Sequence, residues 1–123
     1  MSTLRLTTIS NQTGSSSVPS DTVINGSAKA WVNFNGTGTV AIRASFNVSS
    51  ITDNGTGAYT INFGTAFADA NYSVTSFGQE DVGGGLRVVC GIGTPTASAR
   101  PIDCRNAANA SSDLAYVNVA VFR

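Results

Sequence analysis

Apolar and polar residues alternate by twos along most of this chain. Ala30, Val32 and Phe34 alternate with Trp31, Asn33 and Asn35, the two-residue period of a β-strand with one buried and one wet face. Asn35-Gly36-Thr37-Gly38 then supplies residues that tolerate the positive φ of a tight hairpin. The next strand is expected to carry Val40, Ile42, Ala44, Phe46 and Val48 on a buried side, with Thr39, Arg43, Ser45 and Asn47 on the wet one. Asp53-Asn54-Gly55-Thr56-Gly57 predicts a second hairpin, joining 48–52 to the alternating Tyr59, Ile61 and Phe63. Residues 64–70 read as a loop. Tyr72 and Val74 open a strand that ends near Phe77, and Gly83-Gly84-Gly85 marks a turn before the strand 86–90. A stretch containing Pro95 closes a hairpin onto 98–105, residues 106–113 form a loop, and 114–122 is the last strand, with Ala115, Val117, Val119 and Val121 on one side.

About seven strands with regularly spaced turns, and no helix-period segment of useful length, predict an all-β fold. The specific expectation is an antiparallel β-sandwich. The sandwich is expected over 28–123. Residues 1–27 read as an extended N-terminal arm: Leu4, Leu6 and Ile9 in a short extended segment, then a polar, flexible link from Asn11 to Pro19. The strand edges have almost no Lys to block pairing, so they are expected to be buried between subunits of a homo-oligomer, a trimer first.

Composition narrows the function. Seven basic and seven acidic residues leave no net charge, unlike a protein that displaces phosphate counterions, so no nucleic-acid partner is expected. No apolar run is long enough to insert into a membrane, and no secretory leader is visible. Roughly two fifths of the residues are Ser, Thr, Asn or Gly, which read as sheet surface and turns. Cys90 and Cys104 each fall in an expected strand. Two separate thiols are the plainer reading, and a single disulfide is the alternative.

No His is present, which removes the commonest general base and metal ligand. No metal and no cofactor is expected. The acidic residues fall mostly in turns, with no pair positioned as a glycosidase needs, and the glycine clusters precede no helix that could face a phosphate. The chain is not expected to be an enzyme. Charge does concentrate in one place: Glu80, Asp81, Arg87, Arg100, Asp103 and Arg105 lie within 77–105, between glycine-rich turns. These six are the candidate ligand-binding residues, weighed against a plain solvated face. Trp31 is assigned to the core or to a subunit interface in preference to stacking on a sugar.

The runs Ala28-Lys29-Ala30-Trp31-Val32-Asn33-Phe34-Asn35-Gly36-Thr37-Gly38-Thr39-Val40-Ala41-Ile42-Arg43 and Ile51-Thr52-Asp53-Asn54-Gly55-Thr56-Gly57, with Tyr59 to Phe63, resemble a segment of bacteriophage tail-fibre proteins. Thr8-Ile9-Ser10-Asn11 with Gly14-Ser15-Ser16 resembles the linker before that segment, and Val117 to Phe122 is similar to its last strand. The resemblance spans about 8–77 and is weak over 78–113. It implies a virion-surface module for attachment to the host cell, trimeric, in contact with other virion proteins and with host surface polysaccharide. It transfers no catalytic residue. The segment fills nearly all of the sequence and no fibre shaft is expected within it, which fits a very short fibre, a fragment of a fibre, or a separate virion protein that reuses the module. The alternative is therefore a structural virion component, a head or neck fibre or a capsid decoration protein, anchored through its N-terminal arm.

Overall fold

The structure, a computed structural model, describes residues 2–81 and 85–123. It is all-β and antiparallel. A small two-stranded sheet pairs β1 (Thr8–Ser10) with β2 (Ser17–Pro19), and a seven-residue helix, α1 (Ser20–Gly26), follows. The rest of the chain supplies β3 (Ala28–Asn35), β4 (Ala41–Phe46), β5 (Val48–Asp53), β6 (Ala58–Phe63), β7 (Ser73–Gln79), β8 (Leu86–Gly91), β9 (Ala99–Arg105) and β10 (Tyr116–Phe122). These form one eight-stranded sheet in the order β4-β3-β10-β7-β8-β9-β6-β5.

That sheet curls nearly into a barrel. β8 holds it continuous: Leu86 and Arg87 pair with β7, while Val88 to Gly91 pair with β9. Its two terminal strands, β4 and β5, are consecutive in the chain. The stretch expected to run as one strand from Val40 to Val48 breaks at Asn47, which adopts φ of 53°, a left-handed conformation that Asn tolerates better than most residues. Asn47 is also the clasp. Its Nδ2 donates to the carbonyls of Lys29 and Thr65 at 3.1 and 3.2 Å, and its Oδ1 accepts the Thr65 N–H at 2.7 Å. The break sends one strand to each end of the sheet, so eight strands stand where about seven are expected.

The core lies inside the curl. β3 contributes Ala30, Val32 and Phe34, β10 Val117, Val119 and Val121, and β6 Tyr59, Ile61 and Phe63, all buried, on the faces that the alternation predicts. Ile102 and Cys104 of β9 and Val89 of β8 complete the far wall. Burying a side chain of this size contributes about 1.5–3 kcal/mol. Phe34 meets Tyr59 edge-to-face at 5.2 Å between centroids, and Phe63 does the same with Phe67 at 4.7 Å and Tyr72 at 5.6 Å.

Three expectations change. The link from Asn11 to Pro19 is not loose: Asn11 closes a turn by N–H donation to Ser16 O at 3.0 Å, and its Oδ1 accepts the Ser16 N–H at 3.2 Å. A local side-chain-to-backbone bond of this kind orders a polar segment without any core. A helix too short to register as a periodic pattern follows it. The third concerns β4, whose apolar side is not buried: Phe46 is 56% exposed, and Ile42 and Ala44 are exposed too. The expected turn at Gly83-Gly84-Gly85 lies largely outside the described residues.

Candidate functional site

β4, β3, β10 and β7 turn one face to the core and the other outward. Register sets the rows of that outer face, because directly opposed residues point the same way. Phe46, Trp31, Ala120 and Thr75 form one row, and Ala44, Asn33, Asn118 and Phe77 form the next. A bulge in β4 between its pairings with Asn33 and Phe34 re-aims the strand locally. Arg43 then reaches over the ring of Tyr116, 4.3 Å from its centroid, within cation–π range.

Trp31 is therefore not a core residue. It is 40% exposed on the outer face, diagonal to Phe77 at 48%. Alternation alone carried this signal, since Trp31 sits between the inward Ala30 and Val32. Between the two aromatics lies a concavity of about 290 Å³, lined by Trp31, Asn33, Thr75, Phe77, Asn118 and Ala120. Its floor is low because Ala120 and Thr75 are small. In its middle, Asn33 Nδ2 donates to Asn118 Oδ1 at 2.6 Å. That bond leaves Asn33 Oδ1 free to accept and Asn118 Nδ2 free to donate, with no other partner among the described residues.

The charged residues of 77–105 are largely committed to one another. Glu80 accepts two bonds from Arg87, Nε to Oε1 at 2.9 Å and Nη2 to Oε2 at 3.0 Å, a planar fork across β7 and β8. The Arg87 hydrogen bonds hold the Glu80 carboxyl below the usual carboxylate range, and Glu80 in turn raises the guanidinium. Asp103 is buried at 4% under the loop after β9. Its Oδ1 accepts from Ser111 at 2.9 Å, and its Oδ2 lies 2.7 Å from Arg105 Nη2, off the line of a hydrogen bond, so that contact is ionic. Arg100 is at the other end of β9, folded over Gly91, with its Nε buried and without a partner among the described residues. Asp81 is exposed. The six residues thus give two ion pairs and two separated groups.

The two cysteines are both free. Val89 opposes Cys104 and Cys90 opposes Asp103, so a one-residue offset puts the thiols on opposite faces of the sheet. Burial first, then the nearby Asp103 carboxylate, pushes the Cys104 thiol up to about 12. A thiol so protonated is a poor nucleophile. No group of three or more His, Cys, Asp or Glu side chains that could hold a metal occurs among the described residues.

A second exposed apolar cluster lies at the N-terminus. Leu4, Leu6, Ile9, Val23 and Ile24 are each more than two fifths exposed and line a hollow of about 400 Å³ between the β1–β2 hairpin and α1. Lys29 ties this unit to the start of β3, where its Nζ donates to the carbonyls of Ile24 and Ser27. Comparison of the chain with protein-family models, with characterised proteins and with solved structures finds no match.

Proposed function

We propose that this chain is a non-enzymatic bacteriophage virion protein, a tail-fibre-type module that attaches the particle to the host cell surface. The observation that carries the reading is the outer face of β4, β3, β10 and β7. Trp31, Phe46 and Phe77 are left in solvent there, on strands held by ladders. A folded chain rarely leaves a contiguous apolar surface open unless something binds it. The tail-fibre-like runs lend further support, since the Trp31 strand is their centre.

In this reading the curled sheet works as a two-layered sandwich over 28–123, and residues 1–27 act as an arm. The apolar hollow of the arm joins the same region of two further copies, giving a homotrimer, or meets another virion protein. A second reading rests on that hollow alone: a structural head, neck or decoration component clamped to the particle through Leu4, Leu6, Ile9, Val23 and Ile24.

Adsorption competition separates the two. Purified protein is expected to block phage adsorption to its host, and protein lacking residues 1–27 is expected to block it as well, at higher concentration because avidity is lost. If neither form blocks adsorption, and deletion removes the protein from particles, the structural reading replaces attachment.

A further inference from the structure

Resting on the attachment reading, we infer that the groove between Trp31 and Phe77 is a binding site for neutral pyranose sugars. Four features of the groove select this ligand class. Its walls are aromatic. Trp31 and Phe77 stand two strands apart across β10 and one row out of line, which places their backbones on the order of 10 Å apart. A sugar ring lying over Ala120 meets an aromatic face through its C–H bonds, and its neighbour along a chain reaches the other wall.

The centre of the groove is polar, and its polarity is of the right kind. The Asn33–Asn118 pair presents one carbonyl acceptor and one amide donor side by side. That combination serves adjacent sugar hydroxyls, each of which both donates and accepts. Thr75 adds a hydroxyl to the floor. None of the lining side chains ionises at neutral pH, so an acidic sugar would leave its carboxylate without a charge partner there, whereas a neutral one gives up only hydroxyl–water bonds that the amide pair can replace.

The groove is also preorganised. β3 lies between β4 and β10, and β10 lies between β3 and β7, so the side chains that would touch the sugar stand on paired strands rather than loops. Little ordering entropy is then lost on binding.

The other candidate occupant, a second copy of the chain, fits less well. Side chains of this class offer about 150–250 Å² each, so the two walls, Trp31 and Phe77 at 40% and 48% exposure, present on the order of 200 Å², enough for one or two sugar rings. Phe46 extends the apolar face beyond the groove, so what disfavours a second copy is the polar centre: a dry interface would strand the free amide groups of Asn33 and Asn118.

Trp31 is the single tryptophan of the chain, so its emission reports occupancy directly. The full chain is titrated with the hexasaccharides of glucose, mannose and galactose, and separately with polysialic acid. At least one neutral hexasaccharide is expected to shift or quench the emission saturably in the millimolar range, with no response to polysialic acid. Phe77→Ala keeps the reporter and is expected to weaken binding at least tenfold. Trp31→Ala, followed by calorimetry, is expected to abolish it. Circular dichroism confirms that both variants are folded.

No response to any neutral hexasaccharide overturns the inference, as does a response to polysialic acid alone. It is also overturned if the emission follows protein concentration instead of sugar and Trp31→Ala lowers the mass measured by light scattering, which would assign the face to a second copy. Adsorption competition keeps the two proposals apart. Protein that blocks adsorption with a silent groove retains attachment and loses this site. A responding groove without blocking does the reverse.

Discussion

The Tyr59 hydroxyl lies 2.7 Å from Asp113 Oδ1, the same carboxylate oxygen that accepts the Gly57 N–H at 2.7 Å. Tyr59 is fully buried, and its hydroxyl also faces Gly36 O at 2.8 Å, so one phenolic proton serves two acceptors. The β3–β4 turn, the β5–β6 turn and the long loop before β10 therefore meet at one point. Losing the hydroxyl leaves the buried Gly36 carbonyl without this donor, while Asp113 keeps the Gly57 N–H, a cost of about 1–3 kcal/mol. Tyr59→Phe is expected to lower the free energy of unfolding by that amount in a urea titration, with the fold intact.

The same region makes stability fall in alkali. Burial first, then the hydrogen bond to Asp113, raises the Tyr59 phenol well above its ordinary value, and Cys104 is raised to about 12. In both cases the folded state holds the proton more tightly than the unfolded chain does. The stabilisation is complete below the unfolded pKa values, roughly 8.5 for a thiol and 10 for a phenol. It is lost as pH rises through them toward the folded values. The Tm is expected to begin falling near pH 9 and to drop more steeply past 10. Combining Tyr59→Phe with Cys104→Ala should flatten that decline, and a wild-type Tm unchanged to pH 11 would contradict the account.

Glycine positions separate by their surroundings. Gly57 has φ of 72°, and a Cβ there would stand 2.6 Å from both Cys104 O and Ser112 N. Backbone atoms cannot swing aside, so Gly57→Ala combines left-handed strain of about 1–2 kcal/mol with a steric clash and is expected to unfold the protein or cost about 4 kcal/mol. Gly38 has φ of 62° and nothing within 4 Å. Gly38→Ala is expected to cost only the strain, about 1 kcal/mol. Chemical denaturation of the two variants measures the contrast.

Asn47 combines a positive φ with three side-chain hydrogen bonds. Asn47→Gly keeps the backbone and loses the bonds, while Asn47→Ala loses both advantages. The expected order of stability is wild type, then Gly, then Ala, with Ala lower by about 2–4 kcal/mol. A Gly variant less stable than the Ala variant would show that the backbone conformation is not the reason for Asn here.

Thiol titration tests the strand register. Cys90 is half-buried and Cys104 is fully buried. In the native protein Cys90 is expected to react slowly with a thiol reagent and Cys104 not at all, with both reacting on unfolding. A mild oxidant is expected to form no bridge within the chain, which mass spectrometry under non-reducing conditions would show.

Much of the fold was legible because it is local. The alternation through Ala30, Val32 and Phe34 and through Val117, Val119 and Val121, and the Asn-Gly turns between strands, needed only neighbouring residues to interpret. Alternation separates two faces of a strand but does not say which faces inward or where a bulge switches them, and β4 shows the consequence: Phe46 and Ala44 point outward beside Trp31 and Asn33, while Ile42, beyond the bulge, opposes the inward Phe34. Asn47 was hidden for a similar reason, since a single residue of positive φ leaves the pattern on either side of it intact. The groove was out of reach altogether. Asn33 and Asn118 are 85 residues apart and meet only because β10 lies beside β3. The charged cluster, visible by composition, proved to be mostly paired within itself.

The strand that unites the sheet comes after all the others in the chain. Until Tyr116 to Phe122 dock, β3 and β7 each face a missing neighbour, and the valines that fill the middle of the core are absent. A nascent chain halted before β10 would therefore expose two raw edges ready to bond with strands of other molecules. The eight-stranded sheet thus closes only when its last strand is present, and a chain interrupted before it is expected to aggregate or be degraded.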